Sequence, residues 1–123
     1  MALKRIITEL GAGADLHGGD MTKAAIRAVE DAMRHSSLSI IRGLDLDPSD
    51  MRVEIKIGAP DPEAVDRDAV AATLPYGTKT VEVVAGGVAA AGMGGPGDTV
   101  VVSAAVTALL DLPDDKWRLV GAG

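Results

Sequence analysis

The stretch GAGADLHGGDMTKAAIRAV, Gly11 to Val29, decides how this chain folds. Its first half is dense in glycine around one Asp and one His. Its second half has a helical period: Met21, Ala25, Ile26, Val29, Ala32 and Met33 recur on one side, with Lys23, Arg27, Glu30, Asp31 and Arg34 on the other. Asp20 stands where an N-cap belongs, and Arg34 and His35 suit the negative C-terminal end of the helix. Before the glycines, ALKRIITEL is rich in β-forming residues, which predicts a strand over about residues 3 to 10. The stretch therefore reads as strand, glycine loop, helix.

Working outward, Leu38 to Leu44 reads either as a short strand or as an extended connection, and DPSD then turns the chain. In MRVEIKIGAP, Val53, Ile55 and Ile57 alternate with Arg52, Glu54 and Lys56, the pattern of a strand with one buried and one polar face. DPEAVDRDAVAATLP opens with Asp61 as cap and Pro62 in the first turn and stops at Pro75, which predicts a second helix. TKTVEVVAGG is a further strand. GDTVVVSAAVTALL begins as a more buried one, and its end either continues as strand or bends into a short helix. Ala85 to Gly97 reads as a flexible, low-complexity connection.

Strands mixed with two helices on a chain of 123 residues predict a single α+β domain spanning 1–123. It is expected to be a two-layer sandwich, a mixed β-sheet covered on one face by two helices. The other face then carries Arg52, Glu54, Lys56 and Glu82, a charged surface that is either solvated or lines a cleft between subunits. Hydrophobic residues make up 47% of the chain and aromatic residues 2%, with no Phe, so the core is built from Val, Ile, Leu, Met and Ala. These bury less area per residue than rings do, and association with other copies would bury more.

A formal charge of -6 and almost no rings argue against nucleic acid as a partner. The absence of cysteine excludes disulfides, thiolate metal sites and a Cys nucleophile, and fits a reducing compartment. Met1 to Ile7 leads into no apolar run long enough for a signal peptide or a membrane span, so the expected location is the cytoplasm.

Three places carry candidate chemistry. In the glycine loop, Gly11, Gly13 and Gly18 permit close backbone approach, and a loop opening into a helix directs N–H groups at whatever sits there, so an anion could bind. Asp15 and His17 are then an acid–base pair or two metal ligands, with a third ligand needed from His35, an acidic residue or another chain. The loop matches neither the dinucleotide fingerprint nor the P-loop. On a purely structural reading the glycines make the turn, Asp15 satisfies backbone donors and His17 packs or hydrogen-bonds.

Lys56 is the second candidate. A lysine between Ile55 and Ile57 on a partly enclosed strand face is suited to act as a base, with Ser103 as a nucleophile for it; the plain alternative is a solvated lysine pairing with Glu54 or Glu82. The third is the glycine-rich segment 85–97, either a lid or a source of backbone donors. Arg5 and Arg42 would serve a carboxylate or carbonyl if turned inward, and otherwise are surface charge. No cofactor is named by any motif.

Gly11, Gly13, Asp15, His17 and Gly18 form a GxGxDxHG motif. With DMTKAAIRAV, EIKIGAP and VVSAAVT, most of the chain resembles the Lin0512 family, whose function is uncharacterised. A weaker resemblance is to single domains of the ring-opening amidohydrolases that cleave cyanuric acid and barbiturate. Those enzymes look like three similar α+β domains around a threefold axis with serine and lysine pairs at the clefts. VEIKIGAP is similar to a strand carrying such a lysine, which implies that role for Lys56. The Ser-Gly-Gly turn of the family's nucleophile does not occur, so Ser103 is matched by position alone. The resemblance implies a homotrimer with sites at subunit interfaces, acting on an amide or imide of a small cyclic molecule, with Asp15 and His17 orienting or protonating the leaving nitrogen. The alternative is a module that holds a small anion or a metal-bound ligand at the loop without chemistry.

Overall fold

A computed structural model describes residues 3–34, 47–75 and 77–111. Strand β1 (Leu3–Asp15) leads into helix α1 (Met21–Arg34). After a 3₁₀ turn at Pro48–Asp50 come β2 (Arg52–Ala59), a second 3₁₀ turn (Pro62–Ala64), a short helix α2 (Arg67–Ala71), β3 (Thr78–Ala85), β4 (Val88–Gly92) and β5 (Gly95–Asp111). The sheet order is β1-β5-β2-β3, with β4 pairing to β5. β5 is antiparallel to β1, β2 and β4, while β2 and β3 run parallel, so the sheet is mixed. The α+β two-layer arrangement is thus the one the hydrophobic periods predict.

The core lies between the helices and one face of the sheet. Along β5, Val100, Val102, Ala104, Val106, Ala108 and Leu110 are buried, and Val53, Ile55, Ile57 and Ala59 of β2 join them. The odd-numbered residues of β5 from Val101 to Leu109 point to the opposite face with Arg52, Glu54 and Lys56, which are exposed. β5 keeps this alternation to Asp111, so its end stays a strand.

Four expectations change. The first strand does not stop near residue 10 but continues through the glycines to Asp15, with Gly11 opposite Ala104 and Gly13 opposite Val102. The reason is helix packing. A Cβ on Gly13 would lie 2.4 Å from Ala24 O and Ala28 N, and one on Gly11 would lie 2.4 Å from Ala28 O and Ala32 N. The helix backbone occupies the space of the missing side chains, and its matching stripe is Ala24, Ala28 and Ala32, all fully buried. The predicted apolar face of α1 is therefore rotated towards its alanines, with Met21, Ile26 and Met33 only partly buried beside them.

The predicted second helix is broken in two. Asp61 makes no side-chain cap bond, whereas Asp66 accepts the Ala69 N–H at 3.1 Å and starts α2. The segment 85–97 is not a loose connection: Val88–Gly92 pairs with Val101 to Gly95 as a hairpin. Leu38 to Leu44, His35 and Arg42 lie outside the described residues. Asp20 does cap α1, its Oδ1 accepting from the Lys23 N–H at 3.1 Å.

β1 is an edge strand, and α1 covers part of that edge with side chains. The Ala12 N–H donates to Asp31 Oδ2 at 3.0 Å, and Arg27 donates to Ala14 O at 2.6 Å. Backbone groups that would otherwise template a further strand are thereby occupied.

Candidate functional site

The candidate residues fall in two places. The first is the loop between β1 and α1. Asp15 is the one buried charged residue among those described, 4% exposed. It faces the helix layer because it pairs with Val100, a core position. Its Oδ2 accepts the Asp20 N–H at 2.9 Å, and its Oδ1 stands 3.9 Å from both Lys23 Nζ and Arg27 Nη1. Asp15 therefore braces the entry of α1, and two cations compensate its charge.

Asp98, at the start of β5, holds the same loop from the other side. Its Oδ1 accepts the Gly18 N–H at 2.6 Å, its Oδ2 accepts the Gly94 N–H at 3.0 Å, and its backbone carbonyl accepts the Gly19 N–H at 2.9 Å. Thr99 Oγ1 donates to Leu16 O at 3.0 Å. Only Gly18 and Gly19 in this loop adopt positive φ, +97° and +61°, so these two make the turn that Gly11 and Gly13 do not. The N–H bonds from Gly18 and Gly94, with the nearby imidazole, hold the Asp98 carboxyl below the usual aspartate value.

His17 Nδ1 lies 3.9 Å from Asp98 Oδ2, and its side chain is 77% exposed. The imidazole is thus held on one side and presented to solvent on the other. The loop is poorly suited to an anion. The N–H groups of Gly18, Gly19, Asp20 and Lys23 are already taken by the chain's own oxygens, among them the carboxylates of Asp98, Asp15 and Asp20. Among the described residues no group of three His, Asp or Glu is arranged to hold a metal ion.

The second place is the open face of the sheet. Lys56 pairs with Ala105 and Ser103 pairs with Gly58, so Lys56 and Ser103 lie on the same face of adjacent strands, two positions apart. Such diagonal neighbours lie roughly 7–8 Å apart, within reach of a lysine stem. Ser103 Oγ rests against Gly58, where a Cβ would approach it to 3.0 Å. No hydrogen bond joins Lys56 to Ser103. Glu54, Lys56, Thr80, Glu82, Ala105 and Thr107 line a shallow depression of about 430 Å³ on the same face.

The structure therefore brings Lys56 and Ser103 onto one face, and His17 to Asp98. It separates these groups, with Asp15 on the helix side of the sheet. Gly11 and Gly13 serve packing, and Arg5 is exposed on the open face opposite Leu109. Asp98 escaped the sequence reading. The available signal was an Asp directly after the glycine turn GGPG, a position that favours side-chain bonds to turn N–H groups.

A family model described as a conserved hypothetical protein, Lin0512, matches residues 5–108. The chain belongs to the Lin0512 family. That span contains Asp15, His17, Lys56, Asp98 and Ser103, so both places lie inside the family region. A crystal structure from Nostoc punctiforme, called an FtsZ-like protein of unknown function, is similar at 37% identity and a TM-score of 0.79. The match covers 91% of this chain and 99% of that one. No curated protein matches significantly. Among the described residues of this Lin0512 member, no helix is long and apolar enough to cross a membrane.

Proposed function

We propose that this Lin0512 protein is a cytoplasmic, self-associating hydrolase, a homotrimer that opens an amide or imide bond in a small cyclic molecule on the open face of its sheet. The observation that carries the reading is the register: Lys56 and Ser103 share that face on adjacent strands. No helix of the described chain covers it, and Leu10, Val88 and Val101 stand exposed there at 70%, 61% and 37%. Apolar surface of this kind suits burial against another copy.

Burial would also supply the chemistry. Contact with another copy would exclude water from Lys56 and Ser103 and leave the lysine amine as the base beside the hydroxyl. Neutral Lys56 takes the proton of Ser103 or of a water, and the oxygen attacks the carbonyl carbon. The C–N bond breaks with its electron pair on nitrogen, which takes up a proton.

The test is a product screen by mass spectrometry with a panel of cyclic ureides and imides, beside Lys56→Ala and Ser103→Ala. Turnover lost in Lys56→Ala supports the reading, and parallel loss in Ser103→Ala identifies the nucleophile. No product from folded wild-type protein across the panel would refute hydrolysis. A monomeric mass by light scattering would remove the trimer.

A further inference from the structure

His17 is fastened at the Asp98 end of β5, whereas Lys56 sits opposite Ala105, seven residues further along the same strand. At about 3.3 Å per residue this is roughly 23 Å of strand, more than a lysine and an imidazole together span. The His17 of a chain does not meet that chain's own Lys56.

The loop is nevertheless built to present the imidazole outward. Asp98 holds its Nδ1 side, and the same carboxylate binds the Gly94 N–H in the turn of the β4–β5 hairpin. Leu16, 58% exposed, precedes His17, and Met93, 95% exposed, precedes Gly94. One carboxylate thus gathers Leu16, His17 and Met93 into a tip with apolar shoulders and a basic centre. The depression beside Lys56 has the complementary character, with Glu54 and Glu82 outnumbering Lys56.

We infer that the site is completed in trans: the Leu16–His17–Met93 tip of one copy stands over the Lys56–Ser103 face of the next. The inference rests on the hydrolase reading above and assigns the acid within it. The imidazolium of the incoming His17 gives its proton to the nitrogen that leaves with the C–N electron pair. The neutral imidazole then deprotonates a water, hydroxide displaces Ser103 from the acyl group, and Ser103 recovers its proton from Lys56. Asp98 is a positioning residue that holds the tip. A tip-to-face contact joins two different surfaces, and such contacts close into rings when the rotation permits, as in a trimer.

The chain contains no cysteine, so single-cysteine variants report the contact directly. Isotope-labelled His17→Cys is mixed with unlabelled Thr80→Cys, treated with a short bis-maleimide and analysed by mass. Arg67→Cys on α2 replaces His17→Cys in the control pair, and Leu16→Cys stands in if His17→Cys does not fold. Expected is a mixed-isotope covalent dimer of twice 12.5 kDa as the main product, at least tenfold above the control. Equal yields in the two pairs, or a monomeric mass in solution, would overturn the inference. Neither readout needs turnover, so the hydrolase reading and the contact fail separately. If the protein turns over, a 1:1 mixture of His17→Ala and Lys56→Ala chains should regain about a quarter of wild-type activity, the fraction of randomly assembled interfaces carrying both intact residues. No recovery from exchanged subunits also overturns it.

Discussion

Replacing Gly13 by Ala adds one methyl group where α1 leaves no room. Its Cβ would lie 2.4 Å from Ala24 O and Ala28 N and 2.7 Å from Arg27 C. All three are backbone atoms, so no rotamer change relieves the contact. Ordinary contact starts at 3.4 Å, so α1 must retreat by 1.0 Å (3.4 minus 2.4). A gap of that size forfeits about a quarter to a half of the dispersion attraction along the interface of Ala24, Ala25, Ala28, Val29 and Ala32. Overpacking costs about 1–3 kcal/mol, and loss along a whole helix places this case near 3 kcal/mol. Reduced freedom of the unfolded chain returns roughly 0.4–1 kcal/mol. The net loss expected is about 2 kcal/mol, or about 8 °C in Tm for a domain of this size.

Thermal and urea denaturation followed by circular dichroism measure this, with an unchanged urea m-value showing that the native state remains compact. Gly11→Ala meets Ala28 O and Ala32 N at the same 2.4 Å. The double variant should therefore lose less than the sum of the two, because one displacement of α1 relieves both clashes. A Gly13→Ala protein within about 0.5 kcal/mol of wild type, the range of ordinary surface changes, would refute the packing account. The glycines would then have to be explained by a ligand.

Asp15→Ala leaves the Asp20 N–H without its acceptor and should cost about 1–3 kcal/mol, whereas His17→Ala should stay within about 0.5 kcal/mol; paired urea titrations compare them. Equal losses would sink the division of these neighbours into a brace and a presented side chain. Asp98 has a folded pKa below its unfolded one, so its stabilisation is complete above the ordinary aspartate range and is lost as pH falls through that range towards the lower folded value. Asp98→Asn should lower stability at neutral pH and flatten the acid limb of a Tm-against-pH curve, and an acid limb unchanged from wild type would contradict it. Asp66→Ala removes the cap of α2 and should cost about 1 kcal/mol, against almost nothing for Asp61→Ala. The reverse ranking in thermal melts would restore Asp61 as the helix start.

Elements with strong local signals were legible from residues alone: the alternation of Val53, Ile55 and Ile57, the Asp20 cap, and the mixed sheet with one helical layer. The misses have a common origin in long-range contacts. Ala24 and Ala28 carry little hydrophobic signal and become core because Gly11 and Gly13 let the helix approach. β4, with Val88 followed by three alanines, has weak strand propensity and exists because β5 offers it a backbone edge. Asp66 displaced Asp61 as a cap although both precede an acidic helical turn. Thr22 of α1 accepts the Asp66 N–H at 2.9 Å, a tie between segments distant in sequence.

The candidate site divides in the same way. By itself the sequence singled out Asp15, His17, Lys56 and Ser103 as candidates for chemistry, since residue type and local period are properties of short stretches. Tertiary structure alone decided that Asp15 turns inward as a brace, that His17 is tethered by Asp98 across eighty intervening residues, and that Lys56 and Ser103 share an open face. The physical reason is strand register: shifting a pairing by one residue moves every side chain to the other face, and register is settled by the assembled sheet and its helices.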